Sequence, residues 1–437
     1  MEAPIINVGI LTQKALSFDF CPEYVQTESD QFLKGEQRAL LVNDKIVFNG
    51  KLYDELYFEP TSPEAFFELK GVTIGVDFHW QRQEDQRFKG ALKLLATHDG
   101  IVAINQIDLE EYLTSVISSE MSANASKELL KAHAVISRSW LLAQIEKKYH
   151  LGQAEASRPA SLQQDKDSLI RWYDREDHTL FDVCADDHCQ RYQGISRASN
   201  PTVVEAINET RGEILTYADQ ICDARFSKCC GGVTETFENC WEPVHHDYLV
   251  ALRDDERHDF PDLTQEENAR AWITSSPTAF CNTNDQAILS QVLNNYDQET
   301  ADFYRWEVSY TQDELSELIA RKTRIDFGEI IDLVPVERGT SGRLVRLRIV
   351  GTKRSMTIGK ELEIRRALSE SHLYSSAFIV EKEGDPKLPD RFTLKGAGWG
   401  HGVGLCQIGA AVMGAKGYDY QAILTHYFPN AAIERRY

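Results

Sequence analysis

The chain has 437 residues, a formal net charge of −21 and a hydrophobic content of 42%. Its length allows about three domains, and its apolar content specifies a folded globular protein. The acidic balance argues against nucleic acid, which selects a basic footprint, and against an anionic membrane surface.

Residues 1 to 107 alternate apolar and polar side chains at Ile5–Ile10, Ala39–Phe48, Val72–Phe78, Ala91–Leu95 and Gly100–Ile104. With turn pairs such as Asn49-Gly50 and Asp99-Gly100 between some of them, this predicts a β-rich N-terminal lobe. The period then becomes helical over Asp108–Ser119 and Lys127–Lys147. Pro159–Asp177 is polar and reads as a loop or short helix. Further on, Glu266–Thr274, Gln286–Tyr296 and Gln312–Lys322 read as helices. Ile330–Arg338, Leu344–Val350 and Ser355–Ile358 read as strands, with a hairpin turn at Gly339-Thr340-Ser341-Gly342. Glu381–Asp390 reads as a charged loop and Tyr420–Tyr427 as the final helix. The expectation is an α+β protein in three segments. They are a β-rich lobe (1–107), catalytic helices with a His/Cys loop (108–260), and an α/β region with a glycine-rich cleft loop (261–437).

No run of about eighteen apolar residues, enough to span a bilayer, occurs. The opening Met1-Glu2-Ala3-Pro4-Ile5-Ile6-Asn7-Val8 lacks the basic and long apolar stretches of a signal peptide. Nine cysteines is an odd number, so they cannot all pair within the chain. Cys184, Cys189, Cys222, Cys229, Cys230 and Cys240 cluster, while Cys21, Cys281 and Cys406 stand apart. Clustered cysteines beside histidines suggest metal binding more than a disulfide scaffold. His178, Cys184 and Cys189, with His188 adjacent, have the compact spacing of a tetrahedral zinc site. Unligated thiols or a Cys184–Cys189 disulfide would give the same pattern.

Gly398-Trp399-Gly400-His401-Gly402-Val403-Gly404 places glycine at every second position around one histidine. A backbone so stripped lets a ligand approach closely and leaves His401 exposed. Far upstream, Tyr112, Val116 and Glu120 share one helix face. Glu120 ends that helix, where the dipole disfavours negative charge, and a protonated carboxyl there could serve as a general acid. A solvated glutamate would look the same. Lys131 and Arg138 lie two turns apart on the next helix and read either as a clamp for an anion or for Glu120, or as surface ion pairs. Trp241 is either a sugar-stacking platform or core, and Cys406 reads as a packed thiol.

Several ordered blocks together resemble the stage II sporulation protein D and amidase-enhancer family of bacterial cell-wall proteins. They are Tyr112 to Met121, Glu128 to Trp140, Gly231 to Glu235, Thr340 to Arg343, Ile364 to Leu368, Gly398 to Gly409 and His426 to Pro429. The resemblance implies a lytic transglycosylase acting on peptidoglycan glycan strands, especially strands stripped of stem peptides. Glu120 would be its catalytic acid and base, leaving 1,6-anhydro ends. It further implies a structural zinc held by His178, Cys184 and Cys189, with His188 as fourth ligand. Lys131, Arg138, His401 and Gln407 are expected as substrate contacts. Two positions depart from the family pattern: Ser122 stands where proline is usual, and Cys406-Gln407-Ile408 replaces serine and tyrosine around the glutamine. The alternative within the same family is a non-catalytic glycan binder that enhances a cell-wall amidase, and a third reading is a cytoplasmic enzyme acting on another amino-sugar polymer. The substrate implies the cell envelope or periplasm; with no signal peptide in the sequence, the alternatives are a trimmed chain or a cytoplasmic protein.

Overall fold

Period-two burial builds the first sheet. Along Ala15–Gln26, Leu16, Phe18 and Phe20 point into the core while their neighbours are more exposed. In the computed structural model, which describes residues 2–75, 81–122, 124–151, 161–173, 178–186, 189–196, 200–292 and 302–437, the chain forms two compact units. The first comprises Met1–Ala123, Arg175–Glu213 and Arg435–Tyr437; the second comprises Asn124–Asp174 and Ile214–Glu434. About a quarter of the chain is helix and about 38% strand, the expected α+β class.

The first unit contains strands β1 (Ile5–Gln13), β2 (Ala15–Gln26), β3 (Gln31–Val42), β4 (Lys45–Phe48), β5 (Lys51–Tyr53), β6 (Glu55–Pro60), β7 (Phe66–Ile74), β8 (Arg82–Phe88), β9 (Ala91–Ala96) and β10 (Ile101–Asp108). They run in the order β1-β10-β9-β6-β2-β3-β4-β5, with β7 joining β2 to β8. A two-residue strand, Val183–Cys184, adds to β1 in parallel. Asn49-Gly50 makes the expected β4–β5 turn, both residues at positive φ. The sequence reading missed β2, β5, β6 and β8 and ran β3 into β4. Asn43-Asp44, also at positive φ, separate those two strands. The core is aromatic: Phe20 stacks on Tyr24 at 4.5 Å and Phe67 on Phe88 at 5.4 Å.

Helix α1 (Leu109–Glu120) begins where β10 ends. Asp108 caps it, its Oδ1 accepting from the Glu110 and Glu111 amides at 2.8 and 3.4 Å. Glu110 is buried and accepts from the Gly212 amide at 3.2 Å and from the Tyr437 hydroxyl at 2.7 Å.

In the second unit helix α2 (Lys127–Leu151) is followed by a mixed five-stranded sheet. Its order is 162–164, 168–171, 355–359, 344–351, 330–338. The first two strands replace the polar loop expected at 159–177. Asp165 Oδ1 accepts from the Asp167 and Ser168 amides and closes a hairpin. Residues 378–385 and 388–397 likewise pair as a hairpin through the charged stretch expected to be a loop. Its tip projects into solvent, so charged side chains there are compatible with strand pairing. Helix Gln312–Thr323 packs Leu315 and Ile319 into the core between these sheets.

Removing the α1 cap tests how far local capping sustains the first unit. Asp108→Ala is expected to cost about 1 kcal/mol in a urea melt. An unchanged midpoint would show that the tertiary contacts of α1 suffice alone.

Candidate functional site

In the first unit, α1 is held from both ends of its buried face. Tyr112 is fully buried and stacks on Tyr192 at 5.0 Å, and Tyr192 donates to Asn105 Oδ1 at 2.6 Å. The segment around Tyr192 follows Cys189 and is pinned to α1 by two further bonds. The Tyr112 hydroxyl lies 3.4 Å from Gln190 Oε1, and the Gln193 amide donates to Ser115 Oγ at 3.2 Å. Between those two points the Arg191 amide donates to Glu120 Oε1 at 3.3 Å. The half-buried Glu120 carboxylate is therefore positioned by the backbone of the loop that carries Cys184 and Cys189.

Those cysteines converge with His178: one ligand atom from each lies within 4.8 Å of the other two. The Cys184 amide donates to Cys189 Sγ at 3.4 Å. The neighbouring Cys189 and burial push the Cys184 thiol well up, so the two sulfurs keep a proton unless a cation stabilises them as thiolates. The donor set fits zinc. His188 lies outside the described residues. Beside this loop is a cavity of about 80 Å³ lined by Gln86, Cys184, Arg191 and Gln193.

In the second unit the glycine run does not stand bare before solvent. Gly402 has φ 79°, and a Cβ there would lie 2.5 Å from Arg343 Cζ. Arg343 is buried and donates to the carbonyls of Gly400 and Cys230, both at 3.1 Å. The run is also laced to the Cys229 strand end through reciprocal Cys229–Trp399 backbone bonds of 3.0 and 2.8 Å. The alternating glycines thus admit protein, a guanidinium above all, rather than leaving an open bed.

His401 is half-buried instead of exposed. Its Nδ1 accepts from the Val403 amide at 3.0 Å, and its ring lies 4.8 Å from that of Trp241. Desolvation, followed by the charges of Arg225, Arg343 and Arg365, holds its pKa well below the ordinary value. Trp241 itself is half-buried under Arg225, 4.4 Å from its ring centre.

The other expected contacts are more enclosed than a surface clamp would be. Arg138 is completely buried, with Nη1 3.5 Å from the Ala134 carbonyl. Gln407 is buried at the start of helix 407–415, its Nε2 3.1 Å from His133 Nε2. His133 Nδ1 is in turn 3.2 Å from Ser137 Oγ. With the glutamine amide donating, His133 carries its proton on Nδ1 and donates to the serine. Lys131 is partly exposed, 3.2 Å from Glu128 Oε1 and 5.4 Å from the Tyr420 ring centre. An amphipathic helix pattern places Lys131 and Arg138 on α2 but cannot tell which side another helix covers, so Arg138 read as accessible.

Two features escaped the sequence reading. Glu235 is fully buried and accepts six hydrogen bonds: from the Thr236 amide, Asn239 Nδ2, and both the amide and hydroxyl of Thr340 and of Ser341. Its own amide donates to the Gly402 carbonyl at 2.9 Å. Its membership in the Gly231–Glu235 block was the available signal. The second is a buried group of Cys230, Asp254, Cys281 and Cys406, whose ligand atoms lie within 4.8 Å of one another. Cys406, read as a packed thiol, belongs to it; its partners are too distant in sequence for spacing to reveal.

Residues 97–217 match the family model of the stage II sporulation protein, and residues 235–404 match that of a domain of unknown function, DUF8618. The chain is 23% identical over 333 residues to stage II sporulation protein D of Bacillus subtilis, covering 76% of each chain. It is 25% identical over 341 residues to the amidase enhancer of the same organism, covering 74% of this chain and 40% of that one. An uncharacterised protein of Brachyspira hyodysenteriae is 23% identical over 346 residues, covering 79% of this chain and 72% of its own length.

Glu235→Gln turns one acceptor oxygen into a donor facing donors. It is expected to lower stability by about 2–4 kcal/mol by denaturant melt; a loss below about 0.5 kcal/mol would show that the six bonds are readily replaced. Burial, then the charge of Lys228, holds the His133 pKa down at about 3. The unfolded chain therefore takes up a proton that the folded chain refuses. Stability should be full above the unfolded histidine value of about 6.5 and fall toward pH 3, by about 1 kcal/mol per pH unit. Urea midpoints at pH 7 and pH 5 read this, and His133→Gln should flatten the slope.

Proposed function

Because this chain belongs to the stage II sporulation protein D and amidase-enhancer family, we propose that its cell-wall role is that of a lytic transglycosylase, cutting peptidoglycan glycan strands between N-acetylmuramic acid and N-acetylglucosamine. The observation that carries the reading is the fixed carboxylate of Glu120: it ends α1, is half-buried and is held by the Arg191 amide rather than left loose in solvent. Protonated, Glu120 gives its proton to the glycosidic oxygen as that bond breaks. As carboxylate it then takes the proton of the muramic C6 hydroxyl, which attacks C1 and closes the 1,6-anhydro ring. One carboxyl group serves both steps, and no water enters. The Arg191 N–H orients the group and stabilises the anion between the steps.

His178, Cys184 and Cys189 would hold a zinc ion whose role is to cross-link the loop. The loop's own residues, Gln190, Arg191 and Gln193, do the positioning along α1. Lys131 and His401 are proposed to face the glycan. Arg138 and Gln407 are buried and are proposed to hold their helices in place instead. Among the described residues no helix is long and apolar enough to cross a membrane. The amidase-enhancer relative supports a second reading, in which the chain grips glycan strands and stimulates a separate cell-wall amidase.

The two readings part on one substitution. Mass spectrometry of peptidoglycan, intact and amidase-stripped, should find anhydromuramyl products with the wild-type chain. Glu120→Gln should cut their rate by about 10²–10⁴-fold. If neither substrate yields such products with wild-type protein, the enzyme reading is lost, and retained strand binding with amidase stimulation would establish the other.

A further inference from the structure

One group of buried cysteines in the second unit comes from three separate places in the chain. Cys229 and Cys230 follow the two-residue strand Phe226–Ser227, Cys281 lies between helices 266–274 and 286–292, and Cys406 ends the strand paired with 226–227. Asp254, from a fourth segment, completes the group. All five residues are buried. Cys230 Sγ is 3.6 Å from Cys281 Sγ. A tetrahedral zinc site with Zn–S bonds of about 2.3 Å has ligand–ligand edges of about 3.8 Å. One ligand atom each from Cys230, Asp254, Cys281 and Cys406 lies within 4.8 Å of the others, a span suited to one ion.

The surrounding hydrogen bonds are those of oriented ligands. The Cys230 amide donates to Cys406 Sγ at 3.2 Å, and the Cys281 amide donates to Asp254 Oδ2 at 2.9 Å. The Tyr427 hydroxyl donates to Asp254 Oδ1 at 2.6 Å. Backbone donors to sulfur and donors to the outer carboxylate oxygen fix ligand geometry in this way around bound metals. The buried Asp254 carboxylate is compensated by its two hydrogen bonds, and among the described residues His426 Nε2 lies 3.9 Å from its Oδ1.

We propose that Cys230, Asp254, Cys281 and Cys406 form a second metal site, binding one zinc ion through three thiolates and a carboxylate, with Cys229 packed beside it. Binding displaces the three thiol protons to solvent. The ion joins the glycine run, through Cys406 two residues beyond Gly404, to the Gly231–Glu235 loop and to the Cys281 segment. It is structural, and it stands whether or not the glycan-cutting reading does, because it uses neither Glu120 nor the His178 loop.

Elemental analysis of the full chain, purified under reducing conditions with zinc present, tests it. The wild type should hold about two zinc ions, Cys281→Ser about one, and a Cys184→Ser, Cys189→Ser variant about one, the second site alone. Zinc content unchanged by Cys281→Ser overturns the proposal. Since that substitution can unfold the unit, the cluster is also read intact: cobalt(II) added to the Cys184→Ser, Cys189→Ser variant should give thiolate-to-cobalt charge-transfer bands of a tetrahedral site. Absence of those bands, or a wild-type mass lighter by the hydrogens of a disulfide among these cysteines, also overturns it.

Discussion

The second unit is organised around one carboxylate that never reaches solvent. Glu235 gathers donors from its own loop and from the turn after the 330–338 strand, while its backbone amide reaches the glycine run. A buried charge is tolerable only when hydrogen bonds replace its lost hydration, so the segments around Glu235, Thr340 and Gly402 are obliged to meet there. Arg343, one residue beyond that turn, then inserts under the run, and the glycines give it room. The Gly231–Glu235, Thr340–Arg343 and Gly398–Gly404 blocks are thus facets of one polar assembly.

This recasts why glycine recurs around His401. Read along the chain, the pattern suggests a bed for a ligand; in the fold, Gly402 is where it is because a guanidinium occupies the space a methyl group would need. His401 is fixed by the amide of Val403 and the ring of Trp241, and kept neutral by burial and neighbouring arginines. A rigid neutral imidazole donates or accepts a hydrogen bond in a fixed direction without changing charge near neutrality.

The α+β class, α1, α2, helices 266–274, 312–323 and 420–427, and the three strands between Ile330 and Gly359 were legible because period and capping are local properties. The Asp108 cap and the Thr311 capping box are written within four residues of what they cap. The hairpin at 378–397 was not legible, because charge at a protruding strand end resembles charge in a loop. Glu120 and the His178, Cys184, Cys189 trio could be singled out from position and spacing. The Arg191 amide that holds Glu120 carries no side-chain signature at all. Arg138 and Gln407 misled for the complementary reason: a helix wheel ranks its own faces but knows nothing of what will cover them.

The Glu110–Tyr437 bond joins residues 327 positions apart. On the ribosome, β1 to β10 and α1 emerge early and can pair among themselves, yet one oxygen at the root of the proposed catalytic helix finds its hydroxyl partner only after Tyr437 has left the exit tunnel. Until then Glu110 has the Gly212 amide as a donor without the Tyr437 hydroxyl. Residues 124–174 and 214–434 are made in that interval, so this bond at the root of the helix carrying Glu120 can close only once the second unit's chain has been synthesised.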